Sequence, residues 1–95
     1  MSKAAANDQV TLLVPQGKIR CYVHEGELRN DTPEEHVRQR VARSLVEEYG
    51  YAKADLHLEF PIKMGSGRKK AVDIAVFPEG EEHEQENIYI IVETK

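Results

Sequence analysis

Apolar residues in the middle of the chain recur with the period of an α-helix. Every fourth position from 37 to 45 is apolar, namely Val37, Val41 and Leu45. Residues at this spacing share one face of a helix, and such a face is normally buried. Thr32 followed by Pro33 is a typical helix start, and Gly50 is a typical stop. The pattern therefore predicts a helix over residues 33–49.

Three apolar stretches follow this helix and predict β-strands. They cover residues 56–62, 71–77 and 87–94. The first alternates between apolar and polar residues, which predicts one apolar face formed by Leu56, Leu58, Phe60 and Ile62. The last two are almost entirely apolar, which predicts strands that are buried on both faces. A helix followed by a mixed sheet of three or more strands is an α/β (α+β) fold.

The beginning of the chain carries weaker signals. After a small, polar start, the apolar run at 10–14 fits either a short strand or an apolar lead-in. A turn is expected at 15–17, and partial alternation over 18–23 favours a short strand. We therefore expect a partly flexible lead-in over residues 1–17 and one domain over residues 18–95.

The composition limits the possible classes of protein. A chain of 95 residues, 40% of them hydrophobic, has material for one small core. It contains no apolar run long enough to span a membrane and no apolar signal region at its start. We therefore expect a cytoplasmic protein without membrane contact. The single cysteine, Cys21, excludes a disulfide scaffold and a cysteine-based zinc site, and the four histidines lack the spacing of metal ligands.

The charge balance narrows the ways in which the protein could bind nucleic acid. The formal net charge is −4, whereas domains that hold nucleic acid by bulk charge alone tend to be basic. A nuclease whose carboxylates hold metal ions remains possible, because bound cations reverse the local sign of the charge.

Two carboxylates interrupt the apolar strands. Asp73 lies in the middle of the second predicted strand, and Glu93 lies near the end of the third. A carboxylate buried in a strand costs several kcal/mol unless it is paired or bound to a metal. Lys95 shares a strand face with Glu93, so the three could converge on one magnesium site. The residues alone also allow a plain ion pair at the end of the sheet, or an exposed Glu93 and Lys95.

Several segments over residues 18–95 resemble a known family. They are residues 19–20, 26–29, 32–39, 48–51, 58–62 and 72–77. These segments are similar to the N-terminal nuclease domain of type I restriction enzyme R subunits, within the PD-(D/E)xK nuclease superfamily. Asp73 with the later Glu93-Thr94-Lys95 matches the Asp…Glu-x-Lys signature, although Val72 stands where that family has a proline.

The resemblance implies a restriction-endonuclease-like core of αβββαβ order, and we expect the chain to hold only the part that ends with the Glu-x-Lys strand. It also implies a type I site-specific deoxyribonuclease domain that uses Mg²⁺ to hydrolyse double-stranded DNA. Asp73 and Glu93 would then be metal ligands, and Lys95 would orient the attacking water or stabilise charge.

Further expectations from the resemblance concern partners of the domain. Modification and specificity subunits would read the DNA sequence, so no base readout is expected in this chain. ATP would be used only by a motor domain that this chain does not contain.

The predicted helix offers a further carboxylate and an arginine. On a helical wheel Glu34 lies on the apolar stripe, whereas Glu35 lies about 100° away and fits the capping-box position. We therefore expect Glu34 to join the site, although it could equally be an acid that stabilises the first turn. Arg38 lies one turn further along and could contact a site carboxylate, a phosphate or solvent.

The basic cluster at 68–70 and Glu59 each allow two interpretations. The basic cluster Arg68-Lys69-Lys70 fits either contact with a DNA backbone or a solvated hairpin tip. Glu59 alternates outward in its strand and could support the site or simply be exposed. The chain as a whole could thus be a DNA endonuclease domain, a non-catalytic module of the same fold that docks DNA backbone or a subunit, or a small protein whose carboxylates are structural.

Overall fold

The computed structural model describes residues 14–94. The apolar run at 10–14 therefore falls almost wholly outside the described residues, as does Lys95. No helix among the described residues is long and apolar enough to cross a membrane.

A short β-hairpin precedes the helix. Its strands are β1, Lys18–Arg20, and β2, Leu28–Asn30, which pair antiparallel with Lys18 opposite Asn30. The strand predicted over 18–23 is thus shorter than expected. Strand β2 was not predicted, because three residues with the sequence Leu-Arg-Asn carry no recognisable alternation.

Helix α1, Pro33–Glu47, begins where the sequence predicted and ends two residues earlier. The hydroxyl of Thr32 accepts a hydrogen bond from the backbone N–H of Glu35 at 3.1 Å, which confirms the predicted N-cap. Gly50 has a φ of +84°, a conformation that favours glycine, and its N–H donates to the carbonyl of Val46.

The main sheet has three strands in the order β3-β4-β5. Strands β3, Leu56–Lys63, and β4, Lys69–Val76, form an antiparallel hairpin, and β5, Ile90–Val92, pairs antiparallel with β4. One helix followed by this sheet, with the small hairpin before it, confirms the α/β (α+β) class.

Two apolar clusters hold the domain together. The first lies between α1 and the sheet and includes Cys21, Val23, Ala42, Leu56, Leu58, Ile74 and Val76. The second is formed by Phe60, Val72, Ala75 and Phe77. Strand β4 is therefore covered on both faces over its C-terminal half, as predicted. The same prediction is wrong for the third strand, since Tyr89 is 67% exposed and Ile91 48% exposed at the edge of the sheet.

The β3–β4 pairing is interrupted at one opposed pair of residues. The register runs from Leu56 opposite Val76 to Lys63 opposite Lys69 and leaves out Glu59 and Asp73. Glu59 has a φ of +53°, the left-handed region that non-glycine residues rarely adopt.

This interruption changes which side chains share a face of β3. The ring of Phe60 lies 4.9 Å from that of His57, although residues three apart point to opposite faces of a regular strand. The predicted single face is therefore wrong. Leu56 and Leu58 pack under the helix, whereas Phe60 and Ile62 belong to the second cluster.

Candidate functional site

Asp73 lies at the point where the regular β4 pairing breaks. Its Oδ2 accepts a hydrogen bond from the backbone N–H of Thr94 at 2.8 Å, and its Oδ1 accepts one from Nη2 of Arg38 at 3.1 Å. Burial by itself would raise the pKa of Asp73, but the hydrogen bonds from the backbone of Thr94 and from Arg38, with the charge of Arg38, outweigh it and hold the pKa below its ordinary value. Asp73 is therefore ionised at neutral pH.

Glu93 lies beside Asp73, one residue past the end of the neighbouring strand β5. The β4–β5 register pairs Ile74 with Val92, and its continuation by one residue places Asp73 opposite Glu93. Like charges directly opposite one another destabilise a sheet. Two cations offset this repulsion, since Arg38 contacts Asp73 and Nζ of Lys70 lies 3.0 Å from Oε2 of Glu93.

Arg38 joins the helix to the sheet. Its Nη1 lies 2.5 Å from Oε1 of Glu35 and its Nη2 lies 3.1 Å from Oδ1 of Asp73, so one guanidinium is shared by two carboxylates. Its Nη1 also lies 3.7 Å from Oε2 of Glu59. Of the three possibilities that the sequence left open for Arg38, the structure shows the contact with a site carboxylate.

The burial of the two helix glutamates, Glu34 and Glu35, is the reverse of what the sequence predicted. Glu35 is 6% exposed, and its Oε2 accepts a hydrogen bond from Nε2 of Gln39 at 2.8 Å. Glu34 is exposed. The prediction that Glu34 points to the sheet is thus wrong, because the inward direction of the helix is set by Glu35 and Ala42, which lie seven residues apart. The Glu35 carboxylate also does not close a capping box.

Arg29 is a charged residue that sequence reasoning missed. It is 8% exposed, and its Nη1 lies 2.6 Å from Oε1 of Glu59 and 3.8 Å from Oε1 of Glu35. Burial by itself would lower the pKa of Arg29, but the hydrogen bond to Glu59 and the charge of Glu27 hold the pKa above its ordinary value. Arg29 lies in the unpredicted β2, and although residues 26–29 are part of the family resemblance, no role was predicted for this arginine.

Glu59 reaches this cluster because of its unusual backbone. Its left-handed φ turns the side chain toward Arg29 and Arg38, although it lies in a strand where alternation should continue. Such a conformation costs on the order of 1 kcal/mol for a residue with a Cβ atom. Strain of this kind often accompanies functional sites. The sequence suggested a supporting role for Glu59 but gave no sign of its conformation.

Two clefts flank Arg38. One, of about 550 Å³, is lined by Pro33, Glu34, Val37, Arg38, Asp73 and Thr94. The other, of about 330 Å³, is lined by Arg38 with residues that include Lys18, Arg29, Glu34, Glu35 and Glu59. Glu34 therefore lines the cleft of Asp73 even though it does not point into the protein core.

The predicted basic cluster lies at the start of β4. Lys69 and Lys70 are its first residues and Arg68 precedes them, and all three are exposed. Lys70 contacts Glu93, so this part of the cluster adjoins the carboxylates of the candidate site.

The donor set around Asp73 fits magnesium chemically. Magnesium takes oxygen ligands and typically uses one or two protein carboxylates, with waters and substrate phosphates filling the remaining positions. Asp73 and Glu93 are two such carboxylates, and each oxygen of Asp73 carries only one hydrogen bond from the groups described above. Within residues 14–94 there is no group of three or more His, Cys, Asp or Glu side chains that could hold a metal ion.

A separate cluster of histidines lies away from Asp73. Nδ1 of His57 lies 3.1 Å from Nδ1 of His83, whose ring stacks on Phe77 with centroids 4.2 Å apart. The ring centroid of His24 lies 5.1 Å from that of His57. Burial lowers the pKa of His24 and of His57 below the ordinary value of 6.5. For His24 the charge of Glu27 opposes this shift, whereas for His57 the neighbouring histidines add to it.

The helix and the two sheets define a mixed α/β domain that is consistent with a nuclease-like core. Residues 33–95 match the family described as type I restriction enzyme R protein N terminus, and the chain belongs to this family. The match confirms the family resemblance seen in the sequence and includes Asp73, Glu93 and Lys95, while β1 and β2 precede it. Comparison with curated proteins and with solved structures gave no significant match.

Proposed function

We propose that this domain is the endonuclease part of a type I restriction–modification enzyme, and that it hydrolyses phosphodiester bonds of double-stranded DNA with Mg²⁺. The observation that carries this proposal is the position of Asp73, on the central strand β4 of the sheet, beside Glu93 just past the end of β5. Family membership supports it, because this part of the R protein belongs to a restriction enzyme.

The residues of the chain have distinct roles in this proposal. Asp73 and Glu93 would hold the metal, and Asp73 is suited to this because its hydrogen bonds keep it ionised. A bound Mg²⁺ stabilises negative charge on the phosphate and lowers the pKa of a water molecule. Lys95, which lies outside the described residues, is the residue that the family signature assigns to orienting water or stabilising charge. Glu34 lines the cleft next to Asp73 and would help position water there.

Binding to DNA would depend on the phosphate backbone. Arg68, Lys69 and Lys70 form an exposed basic cluster next to Glu93 and would contact phosphates, with Arg38 as a further candidate at the cleft. Such contacts do not read sequence. We therefore propose that modification and specificity subunits select the target in the cytoplasm, and that a motor domain outside this chain uses ATP.

One observation favours a second function, a non-catalytic module that docks DNA backbone or a subunit. The guanidinium of Arg38 already occupies one oxygen of Asp73, and the described residues contain no ready-made cluster of three metal ligands. In this alternative the carboxylates are structural partners of Arg38 and Lys70.

Isothermal titration with Mg²⁺ and Mn²⁺ separates the two functions. The endonuclease proposal expects one or two ions to bind to the wild-type chain and none to the Asp73→Asn variant. Glu93→Ala should weaken binding, whereas Lys95→Ala should leave it intact because lysine is not a magnesium ligand. In the full enzyme Asp73→Ala, Glu93→Ala and Lys95→Ala should abolish DNA cleavage without unfolding the domain. Absence of metal binding in the wild-type chain would favour the non-catalytic module.

A further inference from the structure

We propose that Arg38 is a positioning residue that acts as an internal counter-cation for Asp73. Its guanidinium occupies one oxygen of Asp73 and limits how tightly this carboxylate binds a divalent cation. Glu35 reduces this effect by neutralising part of the charge of Arg38. This inference rests on the proposed metal site. It concerns the affinity of that site rather than its existence.

The first step is the sharing of one guanidinium by two carboxylates. Nη1 of Arg38 contacts Glu35 at 2.5 Å, while Nη2 contacts Asp73 at 3.1 Å. The side chains of Arg38 and Glu35 are 12% and 7% exposed, so solvent screens their charges only weakly. Any change in the charge of Glu35 is therefore felt by Arg38, and through Arg38 by Asp73.

The second step concerns the two cations that would meet at Asp73. Without a metal, Arg38 compensates the repulsion between Asp73 and Glu93 and holds the Asp73 carboxylate in place. A metal held by Asp73 would share this carboxylate with the guanidinium, and the two positive charges would repel each other. Arg38 thus orders the site in advance and at the same time lowers its affinity for the ion.

The third step is the opposing effect of Glu35. Its carboxylate neutralises part of the charge of Arg38, and it is fixed in place by the hydrogen bond from Gln39. Replacing Glu35 by glutamine removes this neutralisation while keeping the shape of the side chain. The charge of Arg38 then acts more strongly on Asp73, since only the more distant carboxylate of Glu59, 3.7 Å from Nη1, still neutralises it. The affinity for a divalent cation should therefore fall.

The two helix residues are therefore expected to change metal affinity in opposite directions. In Mn²⁺ titrations of the full chain at fixed ionic strength, Arg38→Gln should bind Mn²⁺ about tenfold more tightly than wild type. Glu35→Gln should bind it several-fold more weakly. Arg43→Gln is the matched control, because Arg43 lies on the same helix and is 58% exposed. Among the ion pairs found over residues 14–94, Arg43 pairs only with Glu47 of that helix. It should bind as wild type does.

A purely structural role would give a different pattern. If Arg38 only stabilised the fold, Arg38→Gln and Glu35→Gln would both weaken Mn²⁺ binding. Weaker binding in both variants would overturn the inference, and so would unchanged binding in both. The rise in melting temperature on adding Mn²⁺ gives a second readout and should be larger for Arg38→Gln than for wild type. If Arg38→Gln does not fold, Arg38→Lys replaces it and should keep the wild-type affinity, with Glu35→Gln still weaker.

The same titrations distinguish failure of this inference from failure of the proposed function. If the wild-type chain binds Mn²⁺ and the variants do not shift in opposite directions, only the role of Arg38 is wrong. If neither wild type nor Arg38→Gln binds Mn²⁺, the metal site itself is wrong and the inference falls with it.

Discussion

Two clusters of titratable side chains meet strand β3, and they are stabilised in opposite ways. Around Glu59, carboxylates alternate with the guanidinium groups of Arg29 and Arg38 at distances down to 2.5 Å. Around His57, imidazole rings pack against one another and against aromatic rings. The first cluster favours charged side chains, whereas the second favours neutral ones.

The two clusters differ in what they are sensitive to. Opposite charges in the first cluster compensate one another, so it is sensitive to the loss of a partner or the arrival of a cation. In the second cluster burial outweighs the compensating charge of Glu27, so the cluster is sensitive to protonation. Each cluster should therefore respond most strongly to a different perturbation, although the charge of Arg29 also lowers the pKa of His24 and of His57.

The largest effect is expected at Glu35. Replacing Glu35 by alanine leaves the buried Arg29 and Arg38 short of a partner, and removing one member of a buried pair costs about 3–5 kcal/mol. The neighbouring Glu34→Ala is the matched control and should change the free energy of unfolding by less than about 0.5 kcal/mol. Urea unfolding of both variants measures the difference. Equal effects would show that the charged cluster does not stabilise the fold.

An intermediate effect is expected at Val41, which belongs to neither cluster. Val41 packs against the core under the helix, and Val41→Ala should cost about 1–3 kcal/mol through a small cavity. Because Val41 carries no charge, this loss should be the same with and without Mn²⁺ and at pH 6 and pH 8, as measured by thermal melts. A loss that depended on the metal would couple the core to the site and contradict the separation of the clusters.

A smaller effect should reveal the backbone strain at Glu59. In a regular strand alanine is more stable than glycine by about 0.5–1 kcal/mol. At a φ of +53° the order should reverse, with Glu59→Gly more stable than Glu59→Ala by about 1 kcal/mol. Both variants lose the carboxylate, so urea unfolding of the pair isolates the backbone term. If alanine proves more stable, the left-handed conformation is not a source of strain.

The smallest effect should come from acidification of the histidine cluster, since its rings are only partly buried. The pKa of His24 and of His57 is lowered in the folded state, so the unfolded chain binds more protons below pH 6.5. Stability should therefore fall as the pH drops from about 7 to about 5. Chemical denaturation of wild type and His57→Phe across this range tests it, with a flatter profile expected for the variant. Identical profiles would exclude His57 as the source.

The helix and the three strands of the sheet could be predicted because each carries a strong local pattern. The same patterns predict Asp73 within the second strand, as found on β4, and Glu93 within a third strand over 87–94. That strand is shorter than predicted, since β5 covers only Ile90–Val92, and Glu93 lies just past it, beside Asp73. Their roles in metal binding and catalysis, and those of Lys95 and Glu34, remain predictions.

The surroundings of Asp73 could not be predicted, because they depend on contacts between distant segments. Arg29 lies 30 residues before Glu59, and Arg38 lies 35 residues before Asp73. The burial of Glu35 depends on these arginines as partners for its charge, and the apolar stripe of the helix did not indicate it. The left-handed backbone of Glu59 is also invisible in the sequence, since glutamate has no preference for it.

Glu59 and Asp73, the pair left out of the β3–β4 register, also bear on the order of folding. The hairpin closes through a local turn in which the N–H of Met64 bonds to the carbonyl of Arg68, and local contacts of this kind form early. The arginines that compensate Glu59 and Asp73 must arrive from distant segments, which costs additional chain entropy. We therefore expect the carboxylate site to be completed after the hairpin on folding and to open before it on unfolding, so that Arg38→Gln speeds unfolding while the folding rate stays nearly constant.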